Sequence, residues 1–424
     1  MKTDILIVGT GVAGLFCALN LPADKNILMV TKSDIDESDS FLAQGGICVL
    51  RDDDDYERYF EDTMRAGHYE NNPETVEIMI RSSQDVIRDL VRYGVDFNKK
   101  DGEFVYTREG AHSMPRILFH KDITGKEITS KLIEEAGKRK NIRIKEHFTM
   151  VDIIEENGEC VGIAGRDENN NMTAVYADYT VLATGGIGGI FKNSTNFPHL
   201  TGDSVAIAAK HGAELLNVDY IQIHPTTLYS EKEGRRFLIS ESVRGEGAVL
   251  LNKDGDRFVN ELLPRDVVAE AIHEQMKKDG MPYVKLSLKP ISKAHILSHF
   301  PNIYKRCLEE GYDITKEDIP VVPAQHYFMG GVKVNSNSKT TMDRMYAVGE
   351  TACNGVHGRN RLASNSLLES IVFAKRAAKD ISENYSRIEN YTEINPNDFA
   401  DCGADYKEII EREIKKRNKD FQIQ

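Results

Sequence analysis

No stretch of the 424 residues reaches the roughly 18 consecutive apolar positions of a membrane-spanning helix, so a soluble protein with no membrane partner is expected. The first residues lack a basic flank, a long apolar core and a small-residue cleavage site ahead of the strand-like stretch Ile5 to Val8, so no export signal is visible and the cytoplasm is the expected compartment. Cysteine is sparse. Cys17, Cys48, Cys160, Cys307, Cys353 and Cys402 form no C-x-x-C pair, a pattern of reduced thiols rather than of a disulfide frame or zinc site, and no metal ligand is assigned. A basic excess is missing too. The formal net charge of -13 argues against nucleic acid as a partner and gives an anionic ligand no general attraction, so local cations must hold any such ligand. The acidic run Asp52 to Asp55 lacks the glycine and ligand spacing of a calcium loop and reads as a solvated helix start or loop.

What is there is a chain long enough for two or three domains, with the ordinary composition of a globular enzyme. Asp4 to Val8, the turn Gly9-Thr-Gly11-Val-Ala-Gly14, the apolar run to Leu21 and the second strand Ile27 to Val30 read as a βαβ unit. Helical patterns follow at about 73 to 93 and 126 to 140, with Pro73 in a first turn and Gly94 just past an end. From Ile142 to Asp178 short β-like runs alternate with turn residues, Asn157-Gly158 and Asn169 to Asn171, and suggest hairpins forming a small sheet. Strand-like Val181 to Ala183 and Met345 to Val348 each run into glycine. The composition change near Asn217 sets the expected division: 1–217 with 321–381 as a Rossmann-like α/β domain in two segments, 218–320 as an inserted α+β cap, and 382–424 as a short helical tail with little apolar face.

G-x-G-x-x-G after an apolar strand sets helix amides against a diphosphate while the glycines allow close approach, although alone it also fits an unrelated glycine-rich turn. Lys32 stands beyond the second strand where a nicotinamide site shows an acidic residue, which lowers that reading. Asp39-Ser-Phe-Leu-Ala-Gln44-Gly45-Gly46, Ala183-Thr-Gly185-Gly186 and Val348-Gly349-Glu350 are separate glycine-bearing segments that one large cofactor could touch together. These segments resemble the FAD-binding ones of the fumarate reductase, succinate dehydrogenase and L-aspartate oxidase flavoprotein superfamily over about residues 1 to 380. The resemblance implies FAD held by Gly9, Thr10, Gly11, Val12, Ala13, Gly14, Lys32, Asp39, Ser40, Phe41, Leu42, Ala43, Gln44, Gly45, Gly46, Asp203, Glu350, Ser366 and Leu367. Respiratory members carry a histidine, covalently bound to FAD, just before the Ala-Gln-Gly-Gly element. Ser38, Asp39 and Ser40 occupy that stretch here, so the flavin is expected to be noncovalent.

Taking hydride from a carbon beside a carboxylate requires a fixed substrate, neutralised carboxylates and a route for a proton. His224 in Gln222-Ile-His-Pro-Thr226, Arg265 in Leu263-Pro-Arg-Asp266, His326 in Pro323-Ala-Gln-His-Tyr327 and Arg361 in His357-Gly-Arg-Asn-Arg-Leu362 have the right chemistry, each being unremarkable alone. By the resemblance, His224, Ser240, His326 and Arg361 bind substrate carboxylates, Arg361 as a bidentate clamp. Arg265 transfers the proton, and Glu241 with Arg244 forms the relay to solvent; whether Arg265 is a true base or a charge stabiliser stays open, because guanidinium normally keeps its proton. The segment Arg108-Glu109-Gly-Ala-His-Ser-Met-Pro-Arg116-Ile117 resembles a pattern of the aspartate oxidases, with Glu109 meeting the substrate ammonium; otherwise Glu109 is a surface loop residue.

The expected function is therefore FAD-dependent oxidation of L-aspartate to iminoaspartate, with oxygen or fumarate as acceptor, as the first step of de novo NAD synthesis, and quinolinate synthase as the consumer of the product. The rivals are a soluble fumarate reductase or related succinate-type dicarboxylate oxidoreductase, and a flavin-binding scaffold with a silent site. No C-x-x-C-H haem motif accompanies the first, and it leaves the 109–117 segment unexplained. Gln325 and Ile223 stand where Ala and Phe are usual, and only about 55 residues follow Glu369, where aspartate oxidases commonly continue into a sizeable helical domain.

Overall fold

The structure is a computed structural model and describes residues 1–419 and 421; the end of the expected tail, at 420 and 422–424, lies outside them. Its largest sheet runs in the order Ile142–Lys145, Ile27–Val30, Lys2–Val8, Met172–Leu182, Glu159–Asp167, Phe148–Glu156, and Met345–Ala347 also pairs with Met172–Leu182. Lys2–Val8 pairs in parallel with both neighbours. Alternation explains why its run of apolar residues is unbroken: Ile5 and Ile7 enter one core while Leu6 and Val8 enter another, as Ile27 and Met29 do against Leu28 and Val30. The helices Val12–Asn20 and Asn365–Glu383 cover the first face, and Asp203–Lys210 covers the second.

The hairpins expected between 142 and 178 are not a small separate sheet. Phe148–Glu156, Glu159–Asp167 and Met172–Leu182 form an antiparallel meander that extends the main sheet. One long strand makes this possible. Met172–Leu182 pairs antiparallel with Glu159–Asp167 through residues 172–176 and in parallel with Lys2–Val8 through residues 176–182, so its half-buried start and fully buried end serve two neighbourhoods.

A second, four-stranded antiparallel sheet runs Ile221–Leu228, Ile319–Phe328, Val284–Ser287, Val249–Leu251. Its core draws only on residues 228–321. The strands that leave and return, Ile221–Leu228 and Ile319–Phe328, pair with each other from Ile221↔Phe328 to Leu228↔Val321, so the expected boundary at 320/321 falls inside the returning strand.

The C-terminal helix Tyr406–Arg417 has more of an apolar face than the charged sequence suggested. Tyr406, Ile409, Ile410 and Ile414 recur at helical spacing and are buried in the second core, where Ile410 stands close to Gly202 beside the helix Asp203–Lys210. Four residues on one stripe suffice. This helix is part of the core rather than a polar tail.

Candidate active site

Close backbone packing shapes one end of a long cavity. Gly9 has φ +114°, and a Cβ there would lie 2.1 Å from the Ala183 carbonyl oxygen; at Gly14 it would lie 2.2 Å from the Gly9 carbonyl oxygen. Only glycine lets the first turn press against both its own helix and the end of Met172–Leu182. The Val12 amide donates to Ser40 Oγ at 3.2 Å, which ties this turn to the Asp39–Leu42 helix. Lys32 Nζ donates to Asp203 at 2.6 Å and to the His199 carbonyl. Asp39 accepts the Phe197 amide at 3.0 Å, and Glu350 accepts the Phe328 amide at 2.8 Å. Burial holds both carboxyls well above the usual range; nearby, Asp39 Oδ2 and Gln44 Oε1 are buried with no partner among the described residues.

The same cavity continues to the second group of expected residues. Gly9, Thr10, Gly11, Ala13, Lys32, Asp39, Ser40, Leu42 to Gly46, Asp203, Glu350, Ser366 and Leu367 line it, and so do Glu109, His224, Ser240, Glu241, Arg265, His326 and Arg361. Four expected residues are not on its wall. Val12 and Gly14 serve helix packing, Phe41 faces the Lys126 ammonium, and Arg244 stands behind Glu241.

At this end the two-strand root carries the histidines. His224 and His326 sit on the paired strands with ring centroids 5.0 Å apart. His224 Nδ1 lies 3.1 Å from the Thr226 amide and 3.2 Å from the Thr226 carbonyl oxygen, which leaves Nε2 turned to the cavity, buried and unpartnered among the described residues. Burial, then the charge of Arg265, holds both imidazoles well below their ordinary value, so both are neutral at physiological pH.

Arg265 begins the helix Arg265–Asp279 and meets Glu241 at 2.5 Å, and Glu241 lies 3.4 Å from Arg244. Burial pushes the Glu241 carboxyl up, but the charges of Arg265 and Arg244 outweigh it and hold the group below its usual value. Arg361 lies over the Tyr327 ring at 4.3 Å and donates to Ser366 Oγ at 3.0 Å, while burial and then the Arg265 charge lower it to about 10. Gln222 accepts from Arg265 Nη1 and donates to the Arg361 carbonyl, both at 2.8 Å, so one amide sets the spacing of the two arginines. Sequence reasoning missed Gln222 and Tyr327 although each stood in a quoted motif. It also missed Arg235, a cavity residue from a loop with no motif.

Glu109 is 2% exposed, not a surface residue. Its carboxylate accepts from Ser242 at 2.7 Å and Ser364 at 2.6 Å, and burial followed by the Glu241 charge holds it above its ordinary value. The rest of its motif fastens the loop. Arg116, fully buried, pairs with Asp55 at 2.8 Å and Asp62 at 2.7 Å, and Ser113 donates to Asp62. Asp55 is thus 1% exposed, unlike the solvated run expected of residues 52–55: Asp52 caps the turn, and its neighbour is drawn inward by Arg116.

These groups fit FAD: glycine amides for a diphosphate, buried carboxylates and an amide oxygen as acceptors for hydroxyl or imide donors, and neutral donors plus guanidinium beyond. Residues 4–367 match the model of the FAD binding domain family. A quinol fumarate reductase variant of E. coli superposes with TM-score 0.85 at 28% identity, over 99% of this chain and 74% of that one. Fold and cavity together thus define an FAD-dependent oxidoreductase of the fumarate reductase and succinate dehydrogenase type, and the flavin is held noncovalently. The L-aspartate oxidase of Clostridium perfringens is 51% identical over 387 residues, 91% of this chain and 88% of its own, and that of Clostridium acetobutylicum is 50% identical over 391 residues, 92% and 90%. The chain belongs to the L-aspartate oxidase family. The chain spans most of the length of both clostridial relatives.

Proposed function

We propose that this enzyme oxidises L-aspartate to iminoaspartate, and that the cavity described above is where it does so. One observation carries the reading: the Glu109 carboxylate is buried in the same cavity as Arg361, His224 and His326. A dicarboxylate alone leaves that carboxylate unmatched, whereas an amino dicarboxylate pairs with it.

Arg361 takes one substrate carboxylate by its planar fork, with Tyr327 beneath it. His224, through its free Nε2, His326 and Ser240 hold the remaining carboxylate oxygens, and Glu109 takes the ammonium. Bound FAD supplies the two-electron acceptor for the Cα–H bond that breaks. Formation of the imine also releases one proton from nitrogen, and Arg265, Glu241 and Arg244 form the route by which protons leave, with Arg265 stabilising charge beside the reacting carbon. Both imidazoles stay neutral, so they donate hydrogen bonds without adding to the cationic charge of the arginines.

Oxygen or fumarate receives the electrons, and the likeness in fold to a fumarate reductase favours fumarate entering this same dicarboxylate site. The iminoaspartate formed feeds NAD synthesis through quinolinate synthase. All six thiols are free, five of them buried, as suits a reducing cytoplasm. No helix among the described residues is long and apolar enough to cross a membrane.

Anaerobic mixing of FAD-loaded protein with L-aspartate or succinate tests the reading. Bleaching of the oxidised flavin by L-aspartate alone is expected; bleaching by succinate alone would overturn it.

A further inference from the structure

Away from the cavity, the helix Lys293–His299 and the residue just past Glu241–Gly245 gather two imidazoles and a carboxylate. His295 Nε2 lies 2.6 Å from Glu246 Oε2, His299 Nδ1 lies 3.3 Å from Glu246 Oε1, and the two ring nitrogens are 3.4 Å apart. None of the three lines the flavin cavity. We propose that Glu246, His295 and His299 form a divalent transition-metal site of the zinc class.

The distances support it. Bonds of about 2.0–2.1 Å around a tetrahedral ion set the ligand atoms roughly 3.3 Å apart, so two of the three edges already have the required length. The third edge, from His295 Nε2 to the same Oε1, forms when the 2.6 Å contact of His295 with the other oxygen, Oε2, is given up. His295 can supply that by a small rotation, because its side chain is 43% exposed. The four-residue spacing puts both imidazoles on one helix face. Two nitrogens and one oxygen suit zinc and its neighbours better than magnesium or calcium, which take oxygen ligands.

The ligands are also held as metal ligands are. Thr107 Oγ1 donates to Glu246 Oε1 at 2.8 Å, a hydrogen bond that orients the carboxylate from behind. The His299 ring stacks on Phe300 at 4.6 Å and packs on Phe119 at 4.5 Å. Thr107 and Phe119 belong to the flavin-binding part of the chain, and Asp122 from that part also accepts the amides of Asn302 and Ile303 at the next helix, Pro301–Glu309. The ion therefore sits at the seam between the 218–320 segment and the flavin-binding part, and pins the last residue of the stretch that carries Glu241 and Arg244.

Equilibrium dialysis of FAD-loaded protein against Zn2+ tests this independently of the substrate assignment. One tightly held zinc per chain is expected in the unaltered protein and none at the same free zinc in His295→Ala, with Thr107→Val binding about 10–100-fold more weakly. Zinc should also raise the Tm of the unaltered protein and not that of His295→Ala. If His295→Ala does not retain flavin, His295→Gln decides, since it keeps the bulk of the side chain at a partly exposed position. The absence of stoichiometric zinc, or its retention by the His295 variant, overturns the proposal.

Discussion

Replacing Glu109 by Gln keeps the shape of the side chain and its two serine partners, Ser242 and Ser364, but removes the charge proposed to meet the substrate ammonium. Truncating one side of a buried, hydrogen-bonded charge pair costs about 2–5 kcal/mol, which corresponds to a loss of roughly 30- to 5,000-fold in kcat/KM for L-aspartate. Reduction of fumarate, which carries no ammonium, should change by no more than about threefold in the same protein. The substitution also bears on stability. Burial and the neighbouring Glu241 charge hold the Glu109 carboxyl above its ordinary value, so the folded protein binds this proton more tightly than the unfolded chain. Below the unfolded value both states are protonated and Glu109 has no effect; as pH rises from the ordinary to the raised value the folded state loses stability, and above that window the loss is complete. Glu109→Gln should therefore have a higher Tm than the unaltered protein at neutral pH and an equal one in acid. Steady-state assays with both substrates and thermal melts at two pH values provide the check. Equal losses in the two activities, or a lower Tm at neutral pH, would refute the reasoning.

Arg361→Lys removes the planar fork and its contact with Tyr327, and should raise KM for L-aspartate about 10- to 100-fold with flavin content unchanged; an unaltered KM would show that Arg361 does not clamp a carboxylate. Arg265→Ala should lower turnover by about 10²- to 10⁴-fold while retaining the flavin spectrum, as measured by anaerobic bleaching, and near-normal turnover would remove Arg265 from the chemistry. Gly9→Ala should yield protein with little flavin, judged from the visible-to-ultraviolet absorbance ratio, because its Cβ would fall 2.1 Å from the Ala183 carbonyl oxygen. Ile410→Asp places a charge at a 1% exposed position and should destabilise the fold by about 3 kcal/mol or more; an unchanged Tm would mean that the C-terminal helix is a detachable tail after all.

The first βαβ unit was legible because its pattern of strand, glycine turn and helix is contiguous and Gly14 answers to the nearby Gly9 carbonyl, although Gly9 itself answers to the distant Ala183. The residues of the second group were legible as motifs, but their convergence on one cavity depends on strand pairing between positions 221–228 and 319–328, which no local pattern encodes. The hairpins were visible from their turns, whereas their docking onto the main sheet was not, because it rests on one strand changing partners near Tyr176. The C-terminal helix misled for a related reason: its Ile409, Ile410 and Ile414 are few among charges, and only the complementary surface beside Gly202 makes them a core stripe. Arg235 and the Glu246, His295 and His299 cluster come from distant segments with no motif, so only the fold brings them into view.

The cavity is closed by residues far apart in the chain: Gly9, Thr10, Gly11 and Ala13 form one wall, and Ser366, Leu367 and Ser370 another. At about 5–20 residues per second, roughly 20–70 s separate the emergence of the first wall from that of the second during synthesis. Throughout that interval the Lys2–Val8 strand has neither the helix Asn365–Glu383 over its face nor, at first, Met172–Leu182 at its edge. Cofactor capture is thus a late event in the life of each new molecule, and the yield of active enzyme in a cell depends on how well a half-made parallel sheet is sheltered until the last helices arrive.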